Sequence, residues 1–461
     1  TNMNDISAHD IKSIQVLKDA AATAIYGAQG SNGVVIVETR TGQSGKARVT
    51  YKFDYMHSEV GKTFDILSGA DEAYFSRLGL VATGRINPAF LAQLEGSVYL
   101  GGAGNDLTNN TTNSLQYLTP ANQYKLNEGW QSIPDPVDPS KTLLFSSTDW
   151  QSLLFRKAKS QSHTVSVSGG NQKAKFYLGL GYLDNQGIAI QTDYKRFTVN
   201  LNGELNVTDN IKLFSRVMYA NTQNKNAPTT DVFKSSLIAP VTNKLYFEDG
   251  TLSPGRNFGY SNPFYRMSVY NPKNLANDLT IIVGGEAKIL PGLSFTPQVS
   301  MQYRGGYSRN YQRTYLNGPT TVVTSRTASA SYSETVRPQV NAVLTYNKVF
   351  NDDHDFEIKG GLSYLWQNNI SLSATGANAA TDIIPTLNAS ATPTAVSGAE
   401  TQHALIGYFG RTTYNYKRKY LFSASLRYDG ASNLGADNKW GVFPGVSAGW
   451  NLDQENFWKV I

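Results

Sequence analysis

The stretch "RFTVNLNGELN" alternates along its length: Phe197, Val199, Leu201 and Leu205 fall on one side, and Thr198, Asn200, Asn202, Glu204 and Asn206 on the other. A period of two belongs to an extended strand, whose successive side chains point to opposite faces. "DLTIIVGGEAKI" repeats the pattern, with Leu279, Ile281, Val283, Ala287 and Ile289 against Thr280, Glu286 and Lys288. "FEIKGGLSYLW" sets Phe356, Ile358, Leu362, Tyr364 and Trp366 against Glu357, Lys359 and Ser363. In all three the charges stay off the apolar face.

Extended along the chain, this pattern predicts twelve strands, at 49–56, 163–169, 174–184, 194–206, 211–221, 278–289, 293–303, 327–346, 355–366, 403–416, 420–428 and 442–452. Many reach about 10 residues, where a soluble strand averages about 5–6 and a membrane-spanning barrel strand needs about 9–11. The connections alternate too. Short turns such as "GGNQ", "VTDN", "LPG", "NDDH" and "YKRK" take turns with longer segments at 185–193, 222–277, 304–326, 367–402 and 429–441. An up-and-down outer-membrane barrel has this rhythm, with short turns at the periplasmic rim and long loops outside. Alternation alone equally suits a soluble β-sandwich; strand length and loop rhythm favour the barrel.

Composition narrows the alternatives. Only 16% of residues are charged, against about 25% in ordinary globular chains. No run reaches the 18 or so apolar residues that a membrane-spanning helix requires. The absence of cysteine removes disulfides and thiolate metal sites. The net charge of +6 is spread without a basic cluster, so a nucleic-acid partner is not expected. The chain starts at Thr1 without a signal peptide and reads as a mature form or a fragment. In a barrel, a Lys or Arg on the lipid side costs roughly 2–4 kcal/mol at the midplane. Glu204, Glu286, Lys288 and Lys359 are therefore expected to face a wet lumen, with Tyr182, Phe197, Tyr219, Tyr346, Trp366, Tyr416, Tyr420, Tyr428 and Trp450 in girdles at the two interfaces.

The first 45 residues differ. "IKSIQVL" reads as a short strand, "DAAATAIYG" as a helix capped by Asp19 and ended by Gly27, and "GVVIVETR" as a second strand. Together, "DIKSIQVLKDAAATAIYGAQGSNGVVIVETRTGQSGKARVTY" closely resembles the end of the plug domain in TonB-dependent outer-membrane transporters of the SusC/RagA type. The resemblance rests on Val16, Leu17, Lys18, Asp19, Tyr26, Gly27, Asn32, Gly33 and the strand Val34 to Thr39. Looser matches run from "SVSGGNQKAKFYLGLGYLDNQGI" to "YKRFTVNLN", and through "YFGRTTYNYKRKYLFSASLRYDGASNLGADNKWGVFPGVSAGWNLDQENF".

The resemblance implies an all-β chain with a small α+β unit: residues 1–45 as the C-terminal part of a plug, and 46–461 as the N-terminal portion of a transmembrane antiparallel barrel. Lys18, Asp19, Tyr26, Gly27, Asn32 and Gly33 would hold the plug's fold. It further implies TonB-dependent import of a glycan or peptide oligomer across the outer membrane of a Gram-negative bacterium, with a SusD-type surface lipoprotein and the TonB complex as partners. No cofactor, metal or catalytic set is implied. The family's plug begins upstream of Thr1, where its TonB-contacting segment and signal peptide lie, and its barrels have about 22 strands, so twelve is just over half. The alternatives are a non-transporting surface β-protein, adhesin or secreted, and a passive porin.

Motifs that imitate enzymes fail on context. "GVSAG" at 445–449 fits a nucleophile elbow, but Val446, Ala448 and Trp450 continue a strand. "GQSGK" at 42–46 lacks the spacing of a P-loop. "NDDHD" at 351–355 offers oxygens to a hard cation, yet Asn and Asp are ordinary hairpin-turn residues. In the long loops, Trp130, Tyr260, Phe264, Tyr265 and Tyr270 beside Asn and Arg suit a stacking site for sugar or peptide; the alternative is that these rings pack the loops.

Overall fold

The computed structural model describes residues 6–18, 24–30, 32–96, 100–104, 111–226, 229–257, 262–455 and 457–458. Strands β1 (Ile11–Leu17) and β2 (Val34–Thr39) pair antiparallel. Between them lies a 3-10 segment, Ala24–Gly30, that kinks at Gly27. The reading of "DAAATAIYG" as one helix ended by Gly27 is thus corrected for its described part. Gly27 bends the segment from within, at φ 57° and ψ −137°, backbone angles that a Cβ disfavours strongly.

The main sheet opens with β3 (Gly45–Ser58). The connection after it carries helix α1 (Gly69–Ile86), the small strands β4 (Gln116–Tyr117), β5 (Gln131–Pro134) and β6 (Thr142–Phe145), and helix α2 (Trp150–Leu154). The sheet resumes with β7 (Ala158–Gly170), β8 (Ala174–Gln186), β9 (Thr192–Asn206) and β10 (Ile211–Asn226). Helices α3 (Thr229–Ile238) and α4 (Pro263–Val269) fill the next connection. β11 (Lys273–Leu290) and β12 (Leu293–Gln312) follow, then a two-rung ladder of β13 (Tyr315–Leu316) and β14 (Val322–Val323). Last come β15 (Thr327–Phe350), β16 (His354–Ala379), β17 (Ser390–Tyr416), β18 (Tyr420–Ala431) and β19 (Trp440–Trp450). All but β1, β2, β4–β6, β13 and β14 form one 12-stranded sheet in which sequential neighbours pair antiparallel. Each of the twelve strands expected from periodicity is present in it.

Turns at 171–173, 207–210, 291–292, 351–353 and 417–419 join strands at one end of the sheet, and 59–157, 187–191, 227–272, 313–326, 380–389 and 432–439 join them at the other. The alternation holds, but 367–402 is not the long loop expected. β16 and β17 extend far beyond their apolar stretches and leave only 380–389 between them, pairing Ala374 with Val396 and Ser373 with Ser397. In β16 the alternation runs on through Ile370, Leu372 and Ala374 against Ser371, Ser373 and Thr375, but their partners on β17 are Glu400, Gly398 and Val396, so only one of the two strands keeps an apolar face and cross-strand pairing carries the extension. "NDDH" is a tight turn with Asn351 and Asp352 in the left-handed region, φ 49° and 59°, which these residue types tolerate.

The faces settle what kind of sheet this is. Cross-strand partners share a face, and the register aligns Leu201 with Leu178 and Val217, and Asn202 with Tyr177 and Arg216. The apolar face is exposed: Leu201 is 43% accessible, Val299 55% and Val446 79%. The polar face is the covered one, with Asn202 at 2% and Asn200 at 3%. A soluble sandwich does the reverse, because burying a Leu or Val gains about 1.5–3 kcal/mol in water. Among the described residues nothing covers the outer face. Only an apolar solvent makes such a surface favourable.

Outward rings fall in two bands. Tyr416, Tyr420 and Trp450 stack in series beside the short turns, with centroids 6.3 Å apart at each step. Further along the strands, Tyr428 stacks on Trp440 at 4.7 Å and Tyr182 lies opposite Phe197. Tyr420 and Tyr428 are eight residues apart on β18, roughly 27 Å along a strand at ~3.4 Å per residue. With a tilt of about 40° this becomes roughly 21 Å of height, close to the ~25 Å apolar band of outer-membrane barrels.

Candidate functional site

The β1–β2 unit lies against the inner, polar face and grips it at two places. At the first, a 3-10 turn, Ala8–Asp10, carries Asp10 into the wall. The Tyr177 hydroxyl donates to Asp10 Oδ1 at 2.7 Å, and Asn202 Nδ2 donates to the Arg40 carbonyl at 2.5 Å. Asp10 reaches the backbone of β8 because residue 179 is glycine: a Cβ there would stand 2.3 Å from Asp10 Oδ1. Burial pushes the Asp10 carboxyl above its usual range, and the hydrogen bond from Tyr177, the neighbouring Asn200 amide and the charges of His9 and Arg40 oppose that rise.

The second grip is Gly27. A Cβ at this position would lie 1.8 Å from Asp429 Oδ2 and 2.6 Å from Arg427 Nε. Arg427 and Asp429 stand two apart on β18 and so share its inner face; Arg427 Nε donates to Asp429 Oδ1 at 2.6 Å and Nη2 to Ser363 Oγ at 2.8 Å. The pair is nearly inaccessible, at 7% and 3%. Gly407 of β17 flattens the wall beside it, since a Cβ there would stand 2.3 Å from both Arg427 Nη2 and Asp429 Oδ1. A buried ion pair needs satisfied hydrogen bonds to offset its desolvation, and two bare glycine backbones let the small unit close over it. Sequence reading missed this pair. Its signal was available: "RYD" puts two opposite charges on one face of a strand, next to Ser423 and Ser425 on that same face.

Of the remaining motif residues, Gly33 opens β2 with φ 88°, and its N–H donates to the Gly30 carbonyl at 2.9 Å, closing a turn that carries Asn32 exposed at its tip. A Cβ on Gly33 would stand 3.1 Å from the Leu17 carbonyl. Lys18 and Tyr26 are exposed. Asp19 lies outside the described residues.

The register places Glu204, Glu286, Lys288 and Lys359 on the inner side, all toward the short-turn end. Glu204 pairs with Lys212 at 3.1 Å and Lys359 with Glu357 at 2.9 Å. Glu286 and Lys288 stand beside the turn residues Asn210 and Gly292.

The aromatic residues of the loops are not gathered in one place. The Lys125 ammonium sits 4.0 Å over the Trp130 ring. Phe264 packs against the core of Trp150, Leu154, Ala239 and Met267. The Tyr265 hydroxyl accepts the Leu316 N–H at 2.5 Å, and Tyr270 ends α4 in a bridge to Gln312. Tyr260 lies outside the described residues. These rings bind loop to loop. The described parts of the connections 59–157 and 227–272 form one folded body: Trp150 Nε1 donates to the Pro240 carbonyl at 2.9 Å, and Ser114 Oγ to that of Thr242 at 2.6 Å. Within it, Arg77 is 1% accessible and paired with fully buried Asp135. Its other donors meet the Leu94 carbonyl at 2.6 Å and the Tyr117 hydroxyl at 2.6 Å.

Comparison with known proteins agrees with this architecture. No family model matches the chain. The TonB-dependent receptor SusC of Bacteroides thetaiotaomicron is 27% identical over 99% of the chain and 42% of its own length. A TonB-dependent receptor of Formosa agariphila is also 27% identical, over the whole chain and 40% of its own length. Among solved structures, the RagAB peptide importer in its 'closed-closed' state superposes with a TM-score of 0.78 at 19% identity, over 98% of this chain and 50% of that one. The siderophore receptor PirA from Acinetobacter baumannii gives 0.50 at 10% identity, over 98% and 48%. At such identities the structural likeness speaks for the fold. The chain is thus similar along its whole length to SusC-type TonB-dependent receptors, and it spans about two fifths of the length of the curated relatives it matches.

Proposed function

We propose that the chain supplies the docked end of a plug, residues 1–45, and part of an outer-membrane barrel wall, residues 46–461, in an active importer of nutrient oligomers. The observation that carries this reading is the inverted sheet: exposed apolar residues outside, and a polar inner face that holds a separate unit by Asp10 and Gly27. A passive porin has no need of a unit fitted so closely into its lumen, and a secreted or adhesive β-protein has no use for an outer face of Leu, Val and Phe. In an importer the unit blocks the lumen until energy from the TonB complex displaces it. The folded body built from 59–157 and 227–272 gives an external platform on which a SusD-type surface lipoprotein can close over cargo. The likeness to a peptide importer and to SusC makes peptides and glycans the cargo classes to test.

Uptake of labelled oligosaccharides and peptides by cells carrying the full receptor, with TonB present and deleted, tests the reading. Accumulation of one class is expected, falling at least tenfold without TonB, and a surface lipoprotein is expected to copurify from detergent. Uptake indifferent to TonB would make the protein a porin, and recovery in the soluble fraction would remove the barrel.

A further inference from the structure

A cavity of about 550 Å³ lies between the small unit and the inner face of β3, β7 and β8. His9, Lys12, Arg40, Arg48 and Lys52 line it, and among the described residues its lining contains no carboxylate. Two of these charges are spoken for: His9 meets Asp54 and Lys12 meets Glu38. Arg40 donates Nε to the His9 carbonyl. Arg48 and Lys52 make no ion pair among the described residues. The register explains why they converge. Arg48, Thr50 and Lys52 alternate on β3 and align with Ser168, Ser166 and Thr164 of β7, so cations and hydroxyls share one inward face. Thr164 is 5% accessible, lines the cavity, and its Oγ1 lacks a hydrogen-bond partner among the described residues, which makes it a buried hydroxyl waiting for one.

We infer that this cavity is a binding site for an oxyanion, a sulfate, phosphate or carboxylate group, held by Arg40, Arg48 and Lys52 with hydrogen bonds from the β3 and β7 hydroxyls. Guanidinium and ammonium groups with flanking hydroxyls meet the several acceptor oxygens of such a group. The inference rests on the reading of this face as a lumen. The anion is either a substituent on the imported oligomer or a free inorganic ion.

The test is calorimetric titration of the full receptor in detergent with inorganic sulfate at fixed ionic strength. Saturable binding is expected, weakened at least tenfold by R48Q/K52Q, largely retained by R48K/K52R, and unchanged by K62Q on the outer connection. Heat-modifiability on gels establishes that each variant is a folded barrel. Absence of saturable sulfate binding, or equal affinity in R48Q/K52Q, would overturn the site; an acidic neighbour pairing with these cations would give the first result. Competition by an acidic oligosaccharide but not by a neutral one of equal length would assign the anion to cargo, and sulfate binding unaffected by either would assign it to a free ion. TonB-dependent uptake measured in the same variants keeps the two readings apart, since the site can fail while uptake persists.

Discussion

Gly27 combines two demands that are usually separate. Its backbone angles are strained for any L side chain, at a cost of about 1–3 kcal/mol, and its missing Cβ leaves room for Asp429. Gly27→Ala is therefore expected to loosen the small unit while the wall, which makes none of its strand pairs through residue 27, still assembles. Limited proteolysis of the folded receptor should then cut the 18–33 region at least tenfold faster than in the wild type. Unchanged cutting would show that the contact with Arg427 and Asp429 carries little of the docking energy. The "YG" pair in the sequence marked this glycine as special but gave the wrong reason. A helix end is a local matter that neighbouring residues reveal, whereas close approach to a residue 402 positions later leaves no local trace.

At the level of strands, the pleat decides everything that lipid can see. Val299 and Ser300 are adjacent on β12 yet point to opposite solvents; Val299 is 55% accessible and aligned with outward Val283 and Val340. Val299→Arg is expected to cost roughly 2–4 kcal/mol and to deplete folded barrel in a heat-modifiability gel, while Ser300→Arg leaves assembly near wild type. Equal depletion would contradict the assignment of faces. Asn200 is a poorer inward control, because it is covered by the small unit beside Asp10. This alternation was legible for a plain reason: a membrane makes the two faces obey opposite rules, and the rule is written every second residue. Further out the rule weakens: in "QNNISLSATGANA", which is strand, Ile370, Leu372 and Ala374 still alternate with serine and threonine, but β17 sets Glu400 and Gly398 opposite the first two and the period is easily read as loop.

For the whole molecule, the contrast is between a wall written locally and an external body held by long-range pairs. Arg77 and Asp135 are 58 residues apart and wholly buried, and nothing in the sequence announces them as partners. Removing the cation leaves a carboxylate buried without its counter-charge, so Arg77→Ala is expected to destabilise the external body by about 3–5 kcal/mol. Protease sensitivity should rise sharply within 59–157 while the heat-modifiable barrel band persists. A simultaneous loss of that band would mean that the loops and wall fold as one unit. The same distance from local pattern explains Trp130, Phe264, Tyr265 and Tyr270: composition drew attention to them, but whether a ring faces a ligand or a neighbouring loop is decided by chain crossings that composition does not contain.

The contacts of the small unit also have an order along the chain, Asp10 on β8, then Gly27 against β17–β19, then Arg40 on β9. A tug applied ahead of Ser7 would load them in series: the Asp10 anchor would take the strain alone and yield first, and only then would tension reach the Gly27 anchor. Peeling fasteners one at a time demands a far smaller peak force than shearing them together, so a weak motor pulling over a long stroke could undo a joint that thermal agitation leaves closed.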